Sequence, residues 1–240
     1  MYFVGIETRY QDVWVVIPAY NEATVVADVI ADVRSVFEHV VVVDDGSHDD
    51  TGAIALRAGA HVVRHPVNLG QGAAIQTGVE YARRQPGAQV FVTFDADGQH
   101  RVKDVVRMID RLTGENVDVV IGTRFAEPAV NTKMPVLKRI VLRTAVFVSP
   151  RSRRLGLSDA HNGLRVFNKK VADGLNITMN GMSHASEFIA LIAENRWRVT
   201  EEPVEILYTD YSISKGQPLV NGINIIFEGW LRGRMGRMRR

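Results

Sequence analysis

Two acidic residues, Asp95 and Asp97, follow directly on the apolar run Val90–Phe94, and Gly98 comes after them. Side chains alternate between the two faces of a strand, so both carboxylates point to the same side of a strand end. Two like charges there are unfavourable unless a positive charge lies between them. A divalent cation that carries substrate phosphates meets this need, because Mg²⁺ binds few protein carboxylates and completes its coordination with phosphate oxygens. Asp-x-Asp-Gly is also common turn chemistry, so this motif alone leaves a metal site and a solvated turn equally open.

Polar groups follow three further apolar runs in the first half of the chain. The three sequences are Ile17-Pro18-Ala19-Tyr20-Asn21-Glu22, Val43-Asp44-Asp45-Gly46-Ser47 and Gly122-Thr123-Arg124. If the runs are parallel strands, their carboxyl ends meet at one edge of a sheet, where such folds bind ligands. Asp45 can accept from nucleobase N–H groups, Tyr20 offers a ring for contact, and Arg124 supplies a bidentate fork for phosphate. Polar groups at four strand ends therefore favour a nucleoside diphosphate site over four separate turns.

The elements that must position these residues alternate along the chain. We predict strands at Trp14–Ile17, Val40–Val43, His61–Arg64, Val90–Phe94 and Val117–Ile121, and helices at Ala23–Phe37, Asp49–Ala58, Gly72–Arg84 and Val102–Leu112. Later in the chain we predict a helix at Lys138–Val148, a strand at Leu164–Phe167, a helix at Ser183–Glu194 and a strand at Val199–Leu207. Pro203 interrupts the last strand and places it near a sheet edge. Val and Ile runs that alternate with helices are typical of an α/β fold, with a mostly parallel sheet covered on both faces.

The bulk composition is that of a folded protein, since 46% of the 240 residues are hydrophobic and 23% are charged. The length suits one large α/β domain or a domain with a small appendage. The chain contains no cysteine, so disulfides, thiolate metal sites and cysteine nucleophiles are excluded. It shows neither a signal-peptide pattern nor an uncharged apolar run of about 18 residues. We therefore expect a cytoplasmic or peripheral protein.

The net charge is only +2, but basic residues are concentrated in the C-terminal half. They form two groups, which are Lys133, Lys138, Arg139, Arg143, Arg151, Arg153 and Arg154, and then Arg232, Arg234, Arg237, Arg239 and Arg240. This asymmetry predicts an anionic partner, either a membrane surface or phosphate. Aromatic residues do not interleave with the basic groups, which argues against a nucleic acid partner.

Taken together, these blocks resemble the family 2 glycosyltransferases, and within them the dolichyl-phosphate mannose synthase-like branch. The resemblance covers about residues 12–217 and includes three more blocks, which are Asp95-Ala96-Asp97-Gly98-Gln99-His100, Ser158-Asp159-Ala160-His161-Asn162-Gly163-Leu164-Arg165 and Tyr211-Ser212-Ile213-Ser214-Lys215-Gly216. It implies a Rossmann-like GT-A fold, a nucleotide sugar donor, Mg²⁺ or Mn²⁺ as cofactor, and inversion at the anomeric carbon.

The resemblance also implies roles for individual positions. The nucleoside would be held by Pro18, Tyr20, Glu22, Val43 and Asp45, and the metal by Asp95, Asp97 and Gln99, with Ala96 against the ribose or phosphate. Arg124 and Lys215 would contact donor phosphates, and Arg139 and Arg165 would face the acceptor phosphate. Asp159 would be either a base or a clamp on Arg165, which makes Asp97, Asp159 and Arg165 the implied catalytic set. The mannose synthases carry an Arg six residues before Lys215, where this chain has Thr209, so the sequence leaves UDP and GDP open.

A polyprenyl phosphate acceptor, which the resemblance implies, changes the catalytic requirement. Its second pKa lies near ~6, so the phosphate is largely ionised at neutral pH and can attack the anomeric carbon without a strong base. His100, His161 and His184 are therefore expected to be structural or solvent-facing rather than catalytic. A saccharide hydroxyl acceptor is the alternative, and it would need Asp159 as a base. A nucleotide-sugar-binding module without catalysis is a further alternative, which the complete Asp-x-Asp motif and Arg124 disfavour.

We divide the chain into a glycosyltransferase domain, residues 1–217, and a basic amphipathic segment, residues 218–240. Apolar residues in Leu219–Met238, with Trp230 among them, recur at near-helical spacing ahead of the arginine cluster. This pattern suits a helix in a membrane interface, although a helix packed on the domain is also compatible. We expect a protein that is peripheral on the cytoplasmic face of the cell membrane, with a small integral-membrane partner or a second copy of the chain.

Overall fold

One seven-stranded sheet forms the centre of the part of the chain that the computed structural model describes, residues 10–125, 154–159, 162–181 and 183–207. Its strands are β1 (Val13–Ala19), β2 (His39–Asp44), β3 (His61–Arg64), β4 (Val90–Thr93), β5 (Val119–Thr123), β6 (Arg165–Asn168) and β7 (Val199–Pro203). The helices are α1 (Val26–Arg34), α2 (Thr51–Arg57), α3 (Gln71–Arg83), α4 (Val102–Gly114), α5 (Lys169–Gly174) and α6 (His184–Asn195).

The strand order is β3-β2-β1-β4-β6-β5-β7, and every pairing is parallel except those of β6. β6 runs antiparallel to both of its neighbours, with Arg165 opposite Thr93 of β4 and Ile121 of β5. The carboxyl ends of β1, β2, β4 and β5 therefore share one edge of the sheet, and the amino end of β6 joins them there.

Two apolar cores cover the sheet, one on each face. On one face lie the buried sides of α1 and α4, including Ile30 and Met108. On the other lie α3, α5 and α6, including Val79 and Phe188. The central strand β1 is buried along its whole length, as a strand with helices on both faces must be. This arrangement confirms the predicted α/β fold with a mostly parallel, doubly covered sheet.

The first five strands and first four helices confirm the sequence predictions, with ends that differ by a few residues. The predictions at Leu164–Phe167 and Ser183–Glu194 correspond to β6 and α6. The last strand ends at Pro203 rather than at Leu207. The short helix α5 was not predicted; its N-cap is Asn168, whose side chain accepts from the backbone N–H of Val171.

Two predicted helical regions, Lys138–Val148 and residues 218–240, lie outside the described residues. Among the residues that are described, no helix has the length and apolar character needed to cross a bilayer.

Candidate active site

The paired acids Asp95 and Asp97 lie just beyond the carboxyl end of β4. Both oxygens of Asp95 are held in place: Gln71 Nε2 donates to Oδ1 at 3.0 Å, and His100 Nε2 donates to Oδ2 at 2.9 Å. Asp97 Oδ1 accepts from the backbone N–H of Gln99 at 3.1 Å. Asp95 is therefore oriented by side chains from α3 and from the turn after β4, whereas Asp97 is oriented by its own turn.

The two carboxylates differ in their electrostatic surroundings. Burial raises the pKa of Asp95, but the hydrogen bond and charge of His100 and the charge of Arg165 outweigh it, so the pKa is lowered. Burial and the charge of Asp95 raise the pKa of Asp97 to about 6. Ionising both residues together is thus unfavourable without an added positive charge.

A divalent cation fits this pair. The described residues contain no group of three or more acids and histidines that could hold a metal by itself. Two carboxylates nevertheless suit Mg²⁺ or Mn²⁺ when ligand phosphate oxygens complete the coordination, because these ions use few protein carboxylates in such sites. Asp95, Asp97 and Gln99, the predicted ligands, all follow β4 and are the residues that would hold the ion.

The chain that leads into β6 packs closely against the Asp95 carboxylate. Thr93 Oγ1 donates to the carbonyl of Gly163 at 2.6 Å. This brings Gly163 so close to Asp95 that a Cβ atom would lie 2.8 Å from its Oδ1 and 2.9 Å from its Cγ. Only a residue without a side chain fits between β6 and the Asp95 carboxylate.

Arg165, at the start of β6, is buried behind the acid pair. Its side chain is 0% exposed, and its guanidinium carbon lies 4.6 Å from the centre of the Phe188 ring. Within the described residues, none of the nitrogens Nε, Nη1 and Nη2 has a hydrogen-bond partner. Burial lowers the pKa of Arg165 to about 10, against the attraction of Asp95 and Asp159, so the group stays charged at neutral pH. The neighbouring His184 is neutral there, because burial and the charge of Arg165 lower its pKa to about 4.

Arg124 and Asp159 form a bidentate ion pair at the end of β5. Arg124 Nε donates to Asp159 Oδ2 at 2.6 Å, and Nη2 donates to Oδ1 at 2.7 Å. The backbone N–H of Arg124 also donates to Oδ2, at 3.1 Å. Asp159 thus clamps Arg124, and its effect on Arg165 is one of charge alone. The side chain of Asp159 is 1% exposed, which leaves neither oxygen facing solvent.

The predicted nucleoside residues lie at the ends of β1 and β2. Pro18 and Val43 are buried register partners in the two strands, and Tyr20 is 38% exposed beside them. Asp45 Oδ1 accepts from His65 Nδ1 at 2.7 Å and from the backbone of Leu69, and Oδ2 accepts from the backbone of Gly70. In this conformation Asp45 holds the turn that leads into α3, so its predicted contact with a base stays a prediction.

Three of the remaining predicted residues are described by the structure, and two are not. Glu22 begins the turn before α1, and its backbone N–H donates to Thr51 Oγ1 at 2.8 Å. Ala96 is buried between the two acids, and Gln99 contributes its backbone to Asp97 and to Leu207. Arg139 and Lys215 lie outside the described residues.

Sequence reasoning missed Gln71 as a partner of Asp95. Gln71 lies between two glycines that pack closely on the chain before α6. A Cβ atom at Gly70 would lie 2.8 Å from the carbonyl carbon of Asn180, and one at Gly72 would lie 2.8 Å from His184 Cβ. The Gly-x-Gly pattern therefore signals this close approach.

A mostly parallel sheet with a carboxylate pair and arginines at the ends of its central strands defines a GT-A-type glycosyltransferase domain. Residues 14–175 match the model of glycosyl transferase family 2. The chain belongs to this family and is a glycosyltransferase, as the resemblance implied.

Sugar transferases that act on polyprenyl phosphates are among its relatives. UDP-N-acetylglucosamine–dolichyl-phosphate N-acetylglucosaminyltransferase of Methanococcus voltae is 27% identical over 235 residues, which cover 90% of this chain and 93% of the relative. Polyprenol monophosphomannose synthase of Mycolicibacterium smegmatis is 27% identical over 238 residues, which cover 94% and 89%.

The fold is shared with a crystal structure of glucosyl-3-phosphoglycerate synthase from Mycobacterium tuberculosis, in complex with Mn²⁺, UDP and glucosyl-3-phosphoglycerate. The TM-score is 0.68 at 19% sequence identity, and the match covers 90% of this chain and 76% of that one. At this identity the similarity establishes the fold.

Proposed function

We propose that this protein transfers a single sugar, with inversion, from a UDP- or GDP-linked donor to a polyprenyl phosphate at the cytoplasmic face of the cell membrane. The product would serve the synthesis of cell-envelope glycans or glycoconjugates. The names of the Methanococcus and Mycolicibacterium relatives support both the nucleotide sugar and the polyprenyl acceptor.

The observation that carries the proposal is the buried guanidinium of Arg165, which has no hydrogen-bond partner in the part of the chain that the structure describes. A buried ion costs several kcal/mol unless a counter-charge and hydrogen bonds compensate it. Asp95 and Asp159 supply charge at a distance, but they leave the N–H donors of the fork unsatisfied. The oxygens of a phosphate can satisfy several of these donors at once, so a phosphate-bearing acceptor accounts for keeping an arginine here. Because Arg165 is 0% exposed, this contact requires the chain that covers the guanidinium to move when the acceptor binds.

The environment of Asp159 supports a phosphate rather than a hydroxyl as the nucleophile. A saccharide hydroxyl would need a base, and both oxygens of Asp159 accept hydrogen bonds from Arg124. A phosphate monoester is largely ionised at neutral pH and needs no base. Its oxygen would attack the anomeric carbon from the face opposite the diphosphate, which breaks the bond to the leaving group and inverts the configuration.

The protein's own contribution is then to bind and orient two phosphate-bearing reactants. Arg124, held in one plane by Asp159, would contact the donor diphosphate, and Arg165 would contact the acceptor. Asp95 and Asp97, with Gln99, would hold Mg²⁺ or Mn²⁺, which when bound offsets the charge that develops on the leaving diphosphate.

The direct test is a thermal-shift panel of UDP, GDP and their sugars with Mn²⁺ or Mg²⁺, followed by transfer of radiolabelled sugar from the best donor. We expect label in a polyprenyl phosphate and none in a free saccharide. Transfer to the saccharide alone would contradict the proposed acceptor.

The variant Arg165→Ala separates the two substrates. It should lose transfer to polyprenyl phosphate while calorimetry shows unchanged donor binding. Simultaneous loss of donor binding, with an intact unfolding transition, would instead assign Arg165 to the donor site.

Membrane association is proposed from the basic C-terminal half. Because a single amphipathic helix of the kind predicted for residues 218–240 would anchor weakly, we propose a small integral-membrane partner or a second copy of the chain. Salt-resistant membrane binding by the protein expressed alone would argue against a partner.

A further inference from the structure

Glu201 lies in the edge strand β7, opposite Ile121 of β5, and its carboxylate reaches the chain before β6. Its Oε1 accepts from the backbone N–H groups of Ser158 at 2.8 Å and Asp159 at 2.9 Å. Its Oε2 accepts from the backbone N–H of Ser158 at 2.9 Å and from the Ser158 hydroxyl at 2.7 Å. One acid thus accepts from both backbone N–H groups and from the hydroxyl group of this two-residue segment.

The donor and acceptor of each hydroxyl hydrogen bond near Glu201 can be assigned. An ionised carboxylate only accepts, so the Ser158 hydroxyl donates its hydrogen to Glu201. Thr123 Oγ1 lies 2.8 Å from Ser158 Oγ and must therefore donate to it. The backbone N–H of Phe125 donates to Thr123 Oγ1 at 3.2 Å. A one-way chain of hydrogen bonds runs from the end of β5 through Ser158 to Glu201.

The segment that Glu201 holds also carries Asp159, which orients Arg124 through two side-chain bonds. A little further along the same chain, Gly163 packs against the Asp95 carboxylate. The position of the Ser158–Asp159 segment therefore influences Arg124, the arginine proposed to contact the donor phosphates. An amide in place of the Glu201 carboxylate would turn an N–H group toward donors, and the segment would lose part of its anchor.

We propose that Glu201 is a positioning residue for donor binding. It fixes Ser158 and Asp159 so that Asp159 holds the Arg124 guanidinium in the plane that meets the donor diphosphate. This inference rests on the proposed function, in which Arg124 contacts the donor phosphates.

The test compares Glu201→Gln with Glu202→Gln, the same substitution at the next residue of β7. Glu202 pairs with Arg107 at 3.1 Å and with Arg111 at 3.0 Å on α4. Both substitutions remove a carboxylate of β7 that makes ion pairs or hydrogen bonds. Of the two residues, Glu201 is the one that contacts the segment holding Arg124. Glu202→Gln therefore reports the effect of a β7 contact that does not lead to the site.

The measurements are the calorimetric affinities, with Mn²⁺, for the nucleoside diphosphate that the panel identifies and for the matching nucleoside by competition. For Glu201→Gln we expect a loss of about tenfold in diphosphate affinity, which corresponds to about 1.4 kcal/mol. Nucleoside affinity should not change, and the donor KM should rise more than kcat falls. Glu202→Gln should bind both ligands like the wild type.

Equal loss of nucleoside and diphosphate affinity in Glu201→Gln would overturn the proposal, because the residue would then act through the fold. Wild-type diphosphate affinity would overturn it as well. If Glu201→Gln does not fold, Ser158→Ala, which removes one link of the same chain, should show the same phosphate-selective loss in smaller degree. Arg124→Ala distinguishes failure of the proposed function from failure of the inference about Glu201. If Arg124→Ala binds the diphosphate with wild-type affinity, the proposed role of Arg124 is wrong. If Arg124→Ala loses diphosphate affinity but Glu201→Gln does not, only the proposed role of Glu201 is wrong.

Discussion

Gly163→Ala should impair metal-dependent donor binding although it adds only one methyl group. The added Cβ would lie 2.8 Å from Asp95 Oδ1 and 2.9 Å from its Cγ, and it would also overlap Oδ2. Since ordinary contact begins near 3.4 Å, the carboxyl group must move by about 0.6 Å or more. The backbone of Gly163 does not have a positive φ, so alanine brings no conformational strain of its own.

A shift of that size acts on both hydrogen bonds of Asp95. They measure 3.0 Å from Gln71 and 2.9 Å from His100, and N–H···O bonds weaken beyond roughly 3.2 Å. Loss of the groups that orient a metal ligand typically costs about 10–100-fold in metal affinity. A misplacement near 1 Å at a reacting centre can cost roughly 10²-fold in rate. We therefore expect Gly163→Ala to lower both the metal affinity and the rate of sugar transfer by about 10–100-fold.

The assay is Mn²⁺ binding in the presence of nucleoside diphosphate, followed by electron paramagnetic resonance, together with the rate of sugar transfer. Gly114→Ala is the matched control, because a Cβ there meets nothing within 4 Å. It should bind Mn²⁺ like the wild type. Mn²⁺ affinity of Gly163→Ala within about twofold of the wild type, in a folded protein, would refute the reasoning that Gly163 sets the position of Asp95.

Two further predictions concern single acids. Asp97→Asn should abolish sugar transfer and the metal-dependent part of donor binding, and activity that persists in a chelator would contradict the metal assignment. Asp118→Asn should lower the melting temperature at neutral pH: burial raises the pKa of Asp118, but hydrogen bonds from the Arg198 backbone, Asn168 and Lys170 outweigh it, so the pKa is lowered from 3.8. A carboxyl group whose pKa is lowered in the folded state stabilises the fold at pH values above its unfolded pKa of about 3.9. This stabilisation is lost as the pH falls through the folded-state pKa. The difference in melting temperature between variant and wild type should therefore shrink below about pH 4. A difference that is independent of pH would assign the effect to packing.

The sequence was sufficient to predict most of the strands and helices, because the residue patterns that identify them are local. Runs such as Val40–Val43 are apolar without alternation, which is typical of strands buried on both faces. The short helix α5 escaped prediction because it has too few residues to show a helical period. The strand near Leu164 was predicted, but its direction and its place between β4 and β5 were not, because no local pattern encodes which strands pair.

The sequence likewise predicted some residues of the candidate site but not all of the residues that contact them. The rule that ligands bind at carboxyl ends of parallel strands located Asp45, Asp95, Asp97 and Arg124. His100 and Gln99, which contact Asp95 and Asp97, lie within the same sequence block. Two other contacts join residues that are distant in sequence, since Gln71 contacts Asp95 across 24 positions and Glu201 contacts Ser158 across 43. Their spacing carries no motif, so only the folded chain brings them together.

The antiparallel direction of β6 explains how a cation joins this acid pair. In a fully parallel sheet the first residue of a strand lies at the edge opposite to the carboxyl ends, and Arg165 would be a strand length away from Asp95. Because β6 is reversed, Arg165 instead lies beside Thr93, two residues before Asp95. Its charge then helps to lower the pKa of Asp95, and the charges of Asp95 and Asp159 in turn favour the buried guanidinium. Arg165 is fully buried, whereas the Asp95 side chain keeps 28% exposure, so it is the guanidinium that depends most on this attraction. The reversed strand and the carboxylate pair thus form one electrostatic unit.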